Sequence, residues 1–150
     1  MRVLLQLVKN ASVSVEEKEV ASIEKGYLLF VGFKEGDDEN LLRKMAEKIV
    51  KLRIWPDENG KTNLSLSQVG GNILSVSQFT LYAETKGMNR PSFTHSLRKE
   101  EAGPLFDRFN AILKEYVPTL KTGVFHADMA VSLVNDGPFT LHLDSEVLFS

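Results

Sequence analysis

Three polar side chains interrupt an apolar segment in the middle of the chain, and two of them are hydroxyls of the type used in nucleophilic catalysis. Ser77, Gln78 and Thr80 lie in the run from Ile73 to Ala83, whose other residues mostly suit a protein core. Buried polar groups cost free energy unless they are paired, so such a cluster is typical of residues that line a site. The chain has no GxSxG segment and no evident base for a hydroxyl nucleophile. The structural alternative is that these side chains bond neighbouring backbone groups.

A second polar segment, Asn135 to Thr140, separates two apolar, strand-like runs near the C-terminus. Its Gly137-Pro138 pair can present bare carbonyl oxygens to a ligand, because glycine has no side chain and proline has no N–H. The peptide bond before a proline also adopts the cis form at modest cost. Considered alone, a segment of this composition is more typical of a turn between two strands.

Metal and nucleotide motifs are absent from the sequence. The three histidines are His95, His126 and His142, and no two of them have the HxxxH or HExxH spacing of a metal site. His126 and Asp128 lie two residues apart on a predicted strand, but two ligands do not make a site. Neither GxxxxGK[ST] nor GxGxxG occurs. We therefore predict no metal and no cofactor.

Length and charge limit the classes of function. A chain of 150 residues predicts one domain, residues 1–150, and the absence of cysteine excludes disulfides and thiolate metal sites. The net charge of −2 argues against non-specific binding to DNA or RNA. A local basic cluster is a candidate phosphate-facing patch, although a solvated loop is the commoner explanation; it consists of Lys86, Arg90, Arg98 and Lys99. With no membrane-length apolar stretch and no secretory signal pattern, we expect a soluble cytoplasmic protein without membrane or DNA partners.

The polar segments must be held by a β-rich fold. Alternating or continuous apolar residues predict strands at 2–9, 12–16, 19–23, 27–33, 73–83, 120–126, 129–134 and 138–144. Apolar residues at helical spacing predict two helices, over about 37–53 and 100–116. We therefore predict an α+β fold with a mostly antiparallel sheet or barrel-like core and two covering helices.

The two polar segments, taken together, resemble the signature motifs of one enzyme family. Ser77 to Ala83 reads SQFTLYA, and Asn135 to Thr140 matches the pattern N-x-G-P-x-T. Other segments are similar to the family in the same order: Met1–Gln6, Asn10–Val15, Leu28–Gly32, Leu52–Ile54, Arg90–Phe93, Thr122–Phe125 and Ala127–Met129. By this resemblance the chain is identified as a member of the D-aminoacyl-tRNA deacylase, or D-tyrosyl-tRNA(Tyr) deacylase, family.

The resemblance implies a homodimeric enzyme that proofreads tRNA charging. It would hydrolyse the ester between a D-amino acid and the 3′-terminal adenosine of tRNA, and would also remove glycine mischarged on tRNA. The Gly-Pro peptide bond would be cis, and the pair from one subunit would enter the active site of the other. There the carbonyls of Gly137 and Pro138 would bind the substrate's α-ammonium group and reject an L-side chain by collision.

The same resemblance assigns the other site residues. Ser77, Gln78, Phe79 and Thr80 would form the catalytic segment, with backbone N–H groups near Phe79 and Thr80 stabilising the oxyanion. Either Thr80 is the nucleophile or the 2′-hydroxyl of the tRNA helps to activate water, and the lack of an evident base favours the second. The residues expected to bind substrate or adenosine are Asn135, Thr140, Arg90, Pro91, Ser92, Phe93, Phe125 and Met129.

Two positions depart from the family pattern. Leu7 stands where the family usually has an arginine that braces the Gly-Pro loop, and His126 stands where glycine is common. Leu7 keeps open a related deacylase class that has a trans Gly-Pro bond and edits L-alanyl-tRNA. Two further alternatives are a non-catalytic module that binds the tRNA 3′ end and a β-rich interaction protein.

Overall fold

The computed structural model describes residues 1 to 150. In chain order the strands are β1 Arg2–Val15, β2 Lys18–Ile23, β3 Gly26–Gly32, β4 Arg53–Pro56, β5 Thr62–Ser65, β6 Asn72–Ser77, β7 Lys121–Thr122 and β8 Met129–Asp144. The helices are α1 Glu39–Lys51, α2 Lys99–Tyr116 and α3 Ser145–Leu148, and a 3₁₀ helix spans Phe79–Tyr82. None of these helices is both long and apolar enough to cross a membrane.

The main sheet has six strands and is built around β1. All partners of β1 run antiparallel to it: β8 along almost its whole length, β3 beside residues 2–8 and β2 beside residues 11–15. Strands β6 and β7 extend the sheet from β3 through parallel pairings. The predicted α+β fold with a mostly antiparallel, barrel-like sheet is confirmed, and the two parallel pairings are an addition to it.

Strand β1 is continuous where the sequence predicts two separate strands, over 2–9 and 12–16. The predicted break between them is wrong, because residues 10 and 11 lie within one strand of 14 residues. The strand persists because β8 pairs with β1 on both sides of this point. The chain reverses later, at Glu16 and Glu17, which have positive φ angles of 51° and 66°.

Both predicted helices are present. Helix α1 covers Glu39–Lys51, two residues shorter at each end than the predicted 37–53, because the carboxylate of Asp38 caps it by accepting from the N–H of Leu41 at 2.9 Å. Helix α2 covers Lys99–Tyr116, close to the predicted range, and α3 is a single turn that the sequence reading missed.

The sheet is buried on both faces at its centre. One core cluster joins alternate residues of β1 and β3, such as Leu5 and Leu29, to α1 and α2. A smaller cluster on the other face includes Val13, Leu28 and Leu74. The continuous apolar run over 27–33 is thus explained by a strand with two covered faces. This double packing fixes the carboxyl ends of β3 and β6, where the polar segment begins.

Candidate active site

The polar segment Ser77 to Thr80 lies at a change of backbone direction. Strand β6 ends at Ser77, whose parallel partner on β3 is Val31, and Gln78 then donates its N–H to the carbonyl of Val31 at 2.8 Å. From Phe79 the chain forms the 3₁₀ helix, so the predicted strand over 73–83 is wrong after residue 77. The pairing of β6 with β3 ends at this point, with Ser77 opposite Val31.

Two backbone N–H groups are left available at this point. Phe79 and Thr80 begin the 3₁₀ helix, where N–H groups lack acceptors within the helix, and no hydrogen bond of the turns and loops uses them. Thr80 is exposed, and its Oγ1 accepts from Nε2 of Gln78 at 2.6 Å. An amide donor cannot remove a proton from a hydroxyl. The contact positions Thr80 but does not activate it as a nucleophile.

The side chain of Ser96 holds one of these peptide groups. Its Oγ donates to the carbonyl of Phe79 at 2.9 Å, and that carbonyl belongs to the same peptide plane as the N–H of Thr80. The loop that carries Ser96 is itself fixed, because the N–H of Leu97 donates to the carbonyl of Phe33 at 3.1 Å. The orientation of the Thr80 N–H is therefore set from outside the motif.

Arg2 supports the other end of the 3₁₀ helix. Its Nη1 donates to the carbonyl of Leu81 at 2.9 Å, its Nε donates to Asp144 at 3.0 Å, and its guanidinium lies 4.5 Å from the ring centre of Tyr82. Burial raises the pKa of the Tyr82 hydroxyl, and the nearby carboxylates of Asp37 and Asp144 raise it further. This phenol therefore stays protonated at neutral pH and offers no base.

An aromatic cleft of about 380 Å³ opens beside this segment. Its lining includes Phe79, Phe93 and Phe125, and the rings of Phe79 and Phe93 meet edge to face with centres 5.1 Å apart. Phe79 and Phe93 remain 52% and 41% exposed, so their surfaces are available to a planar ligand. The remaining lining residues are Val31, Gly32, Phe33, Ser77, Gln78, Ser96, Leu97, Arg98, Lys99, Glu100, Ala102 and His126.

The cleft brings together some of the predicted site residues. Ser77, Gln78, Phe79, Phe93 and Phe125 all line it. Ser96 and the apolar wall formed by β3 were not predicted from the sequence, because their proximity to the cleft depends on loop and strand packing that leaves no local pattern. The predicted cleft residues thus come from three separate parts of the chain.

Other predicted residues lie elsewhere in this chain. Arg90 and Pro91 are exposed in a hairpin closed by a two-way backbone pairing of Glu84 with Ser92, at 2.8 and 2.9 Å. Met129 packs beside the smaller core cluster rather than in the cleft. None of these residues lines the aromatic cleft.

His126 occupies a backbone conformation that favours glycine. Its φ angle is +63°, in the left-handed region, and its ring lies 6.3 Å from that of Phe125. It belongs to a turn, so the predicted strand through His126 and Asp128 is wrong. Within the structure no group of three or more His, Asp or Glu side chains is placed to hold a metal ion.

The Gly137-Pro138 segment is an outward excursion within one long strand. Residue Thr140 pairs with Gln6 and Asn135 pairs with Val8, so Leu7 alone stands opposite the four residues 136–139. The reading of this segment as a turn between strands is therefore wrong, because both flanks pair with β1 in one direction. We name residues 136–139 the Gly-Pro loop. Its Gly137 and Pro138 are exposed, their peptide bond is cis, and Gly137 has a φ angle of +134°.

The loop and the cleft lie apart in one chain. The cleft includes Gly32, which pairs with Arg2, whereas the loop stands opposite Leu7. Five residues of β1 span about 17 Å. The loop also lies on the edge of β1 that is opposite to β3. A chain therefore cannot place this loop in its own cleft without rearranging the sheet.

Comparison with known protein families identifies the family of this chain. A family model described as D-Tyr-tRNA(Tyr) deacylase matches residues 4–144. This chain belongs to the D-Tyr-tRNA(Tyr) deacylase family. The family resemblance predicted from the two polar motifs is confirmed, and as a D-Tyr-tRNA(Tyr) deacylase family member the protein is a hydrolase.

Individual relatives of the deacylase family agree over nearly the full length. The chain is 53% identical to a D-aminoacyl-tRNA deacylase of Lactobacillus delbrueckii subsp. bulgaricus and 54% identical to one of Lactobacillus acidophilus, each over 96% of this chain and 99% of the relative. A solved c-Myc DNA Unwinding Element Binding Protein is similar with a TM-score of 0.90 and 35% identity, over 96% of this chain and 98% of that one. A probable eukaryotic D-amino acid tRNA deacylase shares the fold, with a TM-score of 0.83 and 18% identity over 95% of this chain and 97% of that one.

Proposed function

We propose that the aromatic cleft receives the 3′-terminal adenosine of a D-aminoacyl-tRNA and that the segment beside it hydrolyses the aminoacyl ester. The observation that carries the proposal is the position of Phe79, whose N–H is free, in the lining of a cleft with exposed aromatic rings. The free N–H of Thr80 follows it directly in the chain, although Thr80 itself does not line the cleft. Phenylalanine faces stack on a base, and backbone donors suit the charge that develops on an ester carbonyl.

The reaction would rely on positioning more than on side-chain proton transfer. In the tetrahedral intermediate the ester carbonyl oxygen becomes an oxyanion, which the N–H groups of Phe79 and Thr80 stabilise. Thr80 accepts from an amide and Tyr82 stays protonated, so neither is a good base. The 2′-hydroxyl of the terminal ribose is then the better candidate to help activate water. Loss of one oxyanion donor typically lowers kcat by about 100- to 1,000-fold, which is the scale of the effect assigned to this segment.

Chiral selection would come from a second copy of the chain. The carbonyls of Gly137 and Pro138 would bind the substrate's α-ammonium group, and an L-side chain would collide with them. Glycine carries no side chain to reject and would be accepted as a substrate. Because the Gly-Pro loop and the cleft lie apart in one chain, a homodimer is the arrangement in which both act on one substrate. An enzyme that acts on charged tRNA would work in the cytoplasm.

DNA binding is not part of this proposal. The name of one structural neighbour refers to a DNA element, but the net charge of −2 offers little of the phosphate neutralisation on which DNA affinity depends.

The direct test compares esters of opposite chirality. Purified protein is incubated with D-tyrosyl-tRNA, L-tyrosyl-tRNA, glycyl-tRNA and L-alanyl-tRNA, with heat-denatured protein as the control. We expect rapid release of D-tyrosine and glycine and little release of either L-amino acid. The proposal fails if D-tyrosyl-tRNA is cleaved no faster than in buffer, or if an L-ester is cleaved first. Binding without turnover would instead support the non-catalytic module, and preference for L-alanyl-tRNA would support the related editing class.

A mixing experiment tests the dimer. Gly137→Ala damages the loop and Phe93→Asp damages the cleft, so each homodimer lacks one required part. In an equal mixture about half of the dimers contain both variants, and each of these has one intact site. We expect recovery of about one quarter of the wild-type activity. A mixture no more active than its components would contradict assembly of the site from two subunits.

A further inference from the structure

A hydrogen-bonded group of three side chains lies beneath the Gly-Pro loop. We name it the Gln6 brace, and it consists of Gln6 on β1 together with Asn135 and Thr140, the two residues of β8 that flank the loop. Oε1 of Gln6 accepts from Nδ2 of Asn135 and, at 2.6 Å, from Oγ1 of Thr140. Asn135 and Thr140 also bond each other at 3.1 Å. The two ends of the loop are therefore tied to one acceptor on the neighbouring strand.

Within the brace, Asn135 holds the backbone of the loop directly. Its Oδ1 accepts from the N–H of Phe139 at 2.6 Å, and its Nδ2 lies 3.3 Å from the carbonyl of the same residue. The N–H of Phe139 and the carbonyl of Pro138 belong to one planar trans peptide group, so they point in opposite directions. Because the N–H points at Asn135, the carbonyl of Pro138 is directed away from the brace and outward.

Leu7 cannot supply this support. It is the residue directly opposite the loop, but its side chain is 4% exposed, belongs to the core and has no polar group. The polar contacts from β1 to the residues that flank the loop are instead made by Gln6, the residue before Leu7. Position 7, where the family resemblance implies a bracing arginine, therefore gives the loop no polar contact, and the side-chain support observed from β1 comes from Gln6.

We propose that Gln6 is a positioning residue for chiral selection, which acts by fixing Asn135 and so aiming the carbonyl of Pro138 at the substrate of the partner subunit. This inference rests on the proposed function. If the brace is lost, the loop samples other orientations, the ammonium group is held less well and L-esters are excluded less strictly. The predicted signature is a change in the ratio of D- to L-ester cleavage rather than a uniform loss.

The chemistry of the brace provides a matched pair of variants. Both contacts of Gln6 use its Oε1 as an acceptor, and a glutamate carries the same acceptor on a side chain of the same length. Gln6→Glu should therefore keep the brace, whereas Gln6→Met keeps the length and removes the acceptor. Gln68→Met makes the same chemical change on the loop after β5, remote from the brace and the cleft, and serves as the control.

Single-turnover rates on D- and L-tyrosyl-tRNA give the functional readout. We expect Gln6→Met to lower the D-to-L rate ratio about tenfold, a loss typical of one or two hydrogen bonds. Gln6→Glu and Gln68→Met should stay within about threefold of the wild type. Thr140→Val, at an exposed position, removes one donor to Gln6 and should give an intermediate ratio even if Gln6→Met proves unstable.

Amide exchange tests the brace without any tRNA. The N–H of Phe139 should exchange at least tenfold faster in Gln6→Met than in the wild type, because its acceptor Asn135 is released, and Gln6→Glu should restore protection. If wild-type protein fails to cleave D-esters, the proposed function is wrong, while the exchange rate of Phe139 still decides whether the brace exists. If the wild type is selective but Gln6→Met keeps both the selectivity and the protection of Phe139, the inference about Gln6 is overturned.

Discussion

Substitution of Gly137 by alanine separates the function of the Gly-Pro loop from its contribution to folding. Gly137 has a φ angle of +134°, and an added Cβ would lie 3.1 Å from the N atom and 3.3 Å from the Cβ of Phe139. An L-residue held in such a conformation costs about 1–3 kcal/mol, and the close contacts add to that cost. Because the loop is exposed, it can relax instead of unfolding the sheet that carries it.

The size of the effect follows from this strain. If keeping the native loop costs about 2 kcal/mol, relaxed conformations take over and the native population falls roughly 30-fold, since 1.4 kcal/mol is a factor of ten. We expect kcat/KM for D-tyrosyl-tRNA to fall by about 30-fold, within a range of roughly 5- to 150-fold for 1–3 kcal/mol. The free energy of unfolding should fall by no more than about 2 kcal/mol, as measured by urea denaturation.

Gly36→Ala is the matched control for this experiment. Gly36 also has a positive φ, of +92°, and nothing lies within 4 Å of the position of an added Cβ. It introduces similar backbone strain between β3 and α1, at a residue that lines neither the Gly-Pro loop nor the aromatic cleft, so activity should be retained. The reasoning is refuted if Gly137→Ala keeps wild-type rates and chirality, or if Gly36→Ala loses activity to the same extent.

Three further variants test the cleft, the backbone donors and the sheet. Phe93→Ala should raise KM for charged tRNA by about 5- to 150-fold, because one stacked base contributes about 1–3 kcal/mol, and an unchanged KM would argue against adenosine in the cleft. Ser96→Ala removes the donor to the Phe79 carbonyl and should lower kcat by roughly tenfold with KM unchanged. Ser96→Thr keeps the hydroxyl and is the control. Equal kinetics for the two variants would contradict a role of the Ser96 hydroxyl in orienting the Thr80 N–H. Gly26→Ala should destabilise folding by about 3 kcal/mol or more in urea, since its Cβ would lie 1.8 Å from the carbonyl oxygen of Asn72, and wild-type stability would be the contrary result.

Local patterns in the sequence accounted for most strands of the main sheet and for the two long helices, but not for β4, β5, α3 or the joins between elements. Alternation at Val3, Leu5 and Leu7 predicts a half-buried strand, and the structure places all three in the core. The predicted separation of strands 2–9 and 12–16 is wrong because pairing with β8 overrides the local signal, as tertiary contacts commonly do for strands. The end of β6 at Ser77 depends on where β3 stops, which no property of residues 73–83 encodes.

The motif residues of the candidate site could be predicted from the sequence. The residues whose side chains orient the backbone of those motifs could not. Ser77 and Gln78 were predicted from the sequence because polar groups in an apolar run are conspicuous, and Phe79 was predicted from the family resemblance. Ser96 and Gln6 were not, because they act through contacts with residues distant in sequence. The one partner of Ser96 is 17 positions away, and the two partners of Gln6 are 129 and 134 positions away.

Ser96 and Gln6 both act on peptide groups of the backbone that would contact the substrate. The proposed oxyanion donors and the proposed chiral barrier are all backbone atoms, which no side-chain substitution in the motif can remove. Ser96 fixes the peptide plane that contains the Thr80 N–H, and Asn135, held by Gln6, fixes the plane that contains the Pro138 carbonyl. A site built from peptide groups can be tuned only by rotating those planes. Variation in rate and in stereochemical strictness should therefore arise at Ser96 and Gln6 as well as at motif residues such as Gly137.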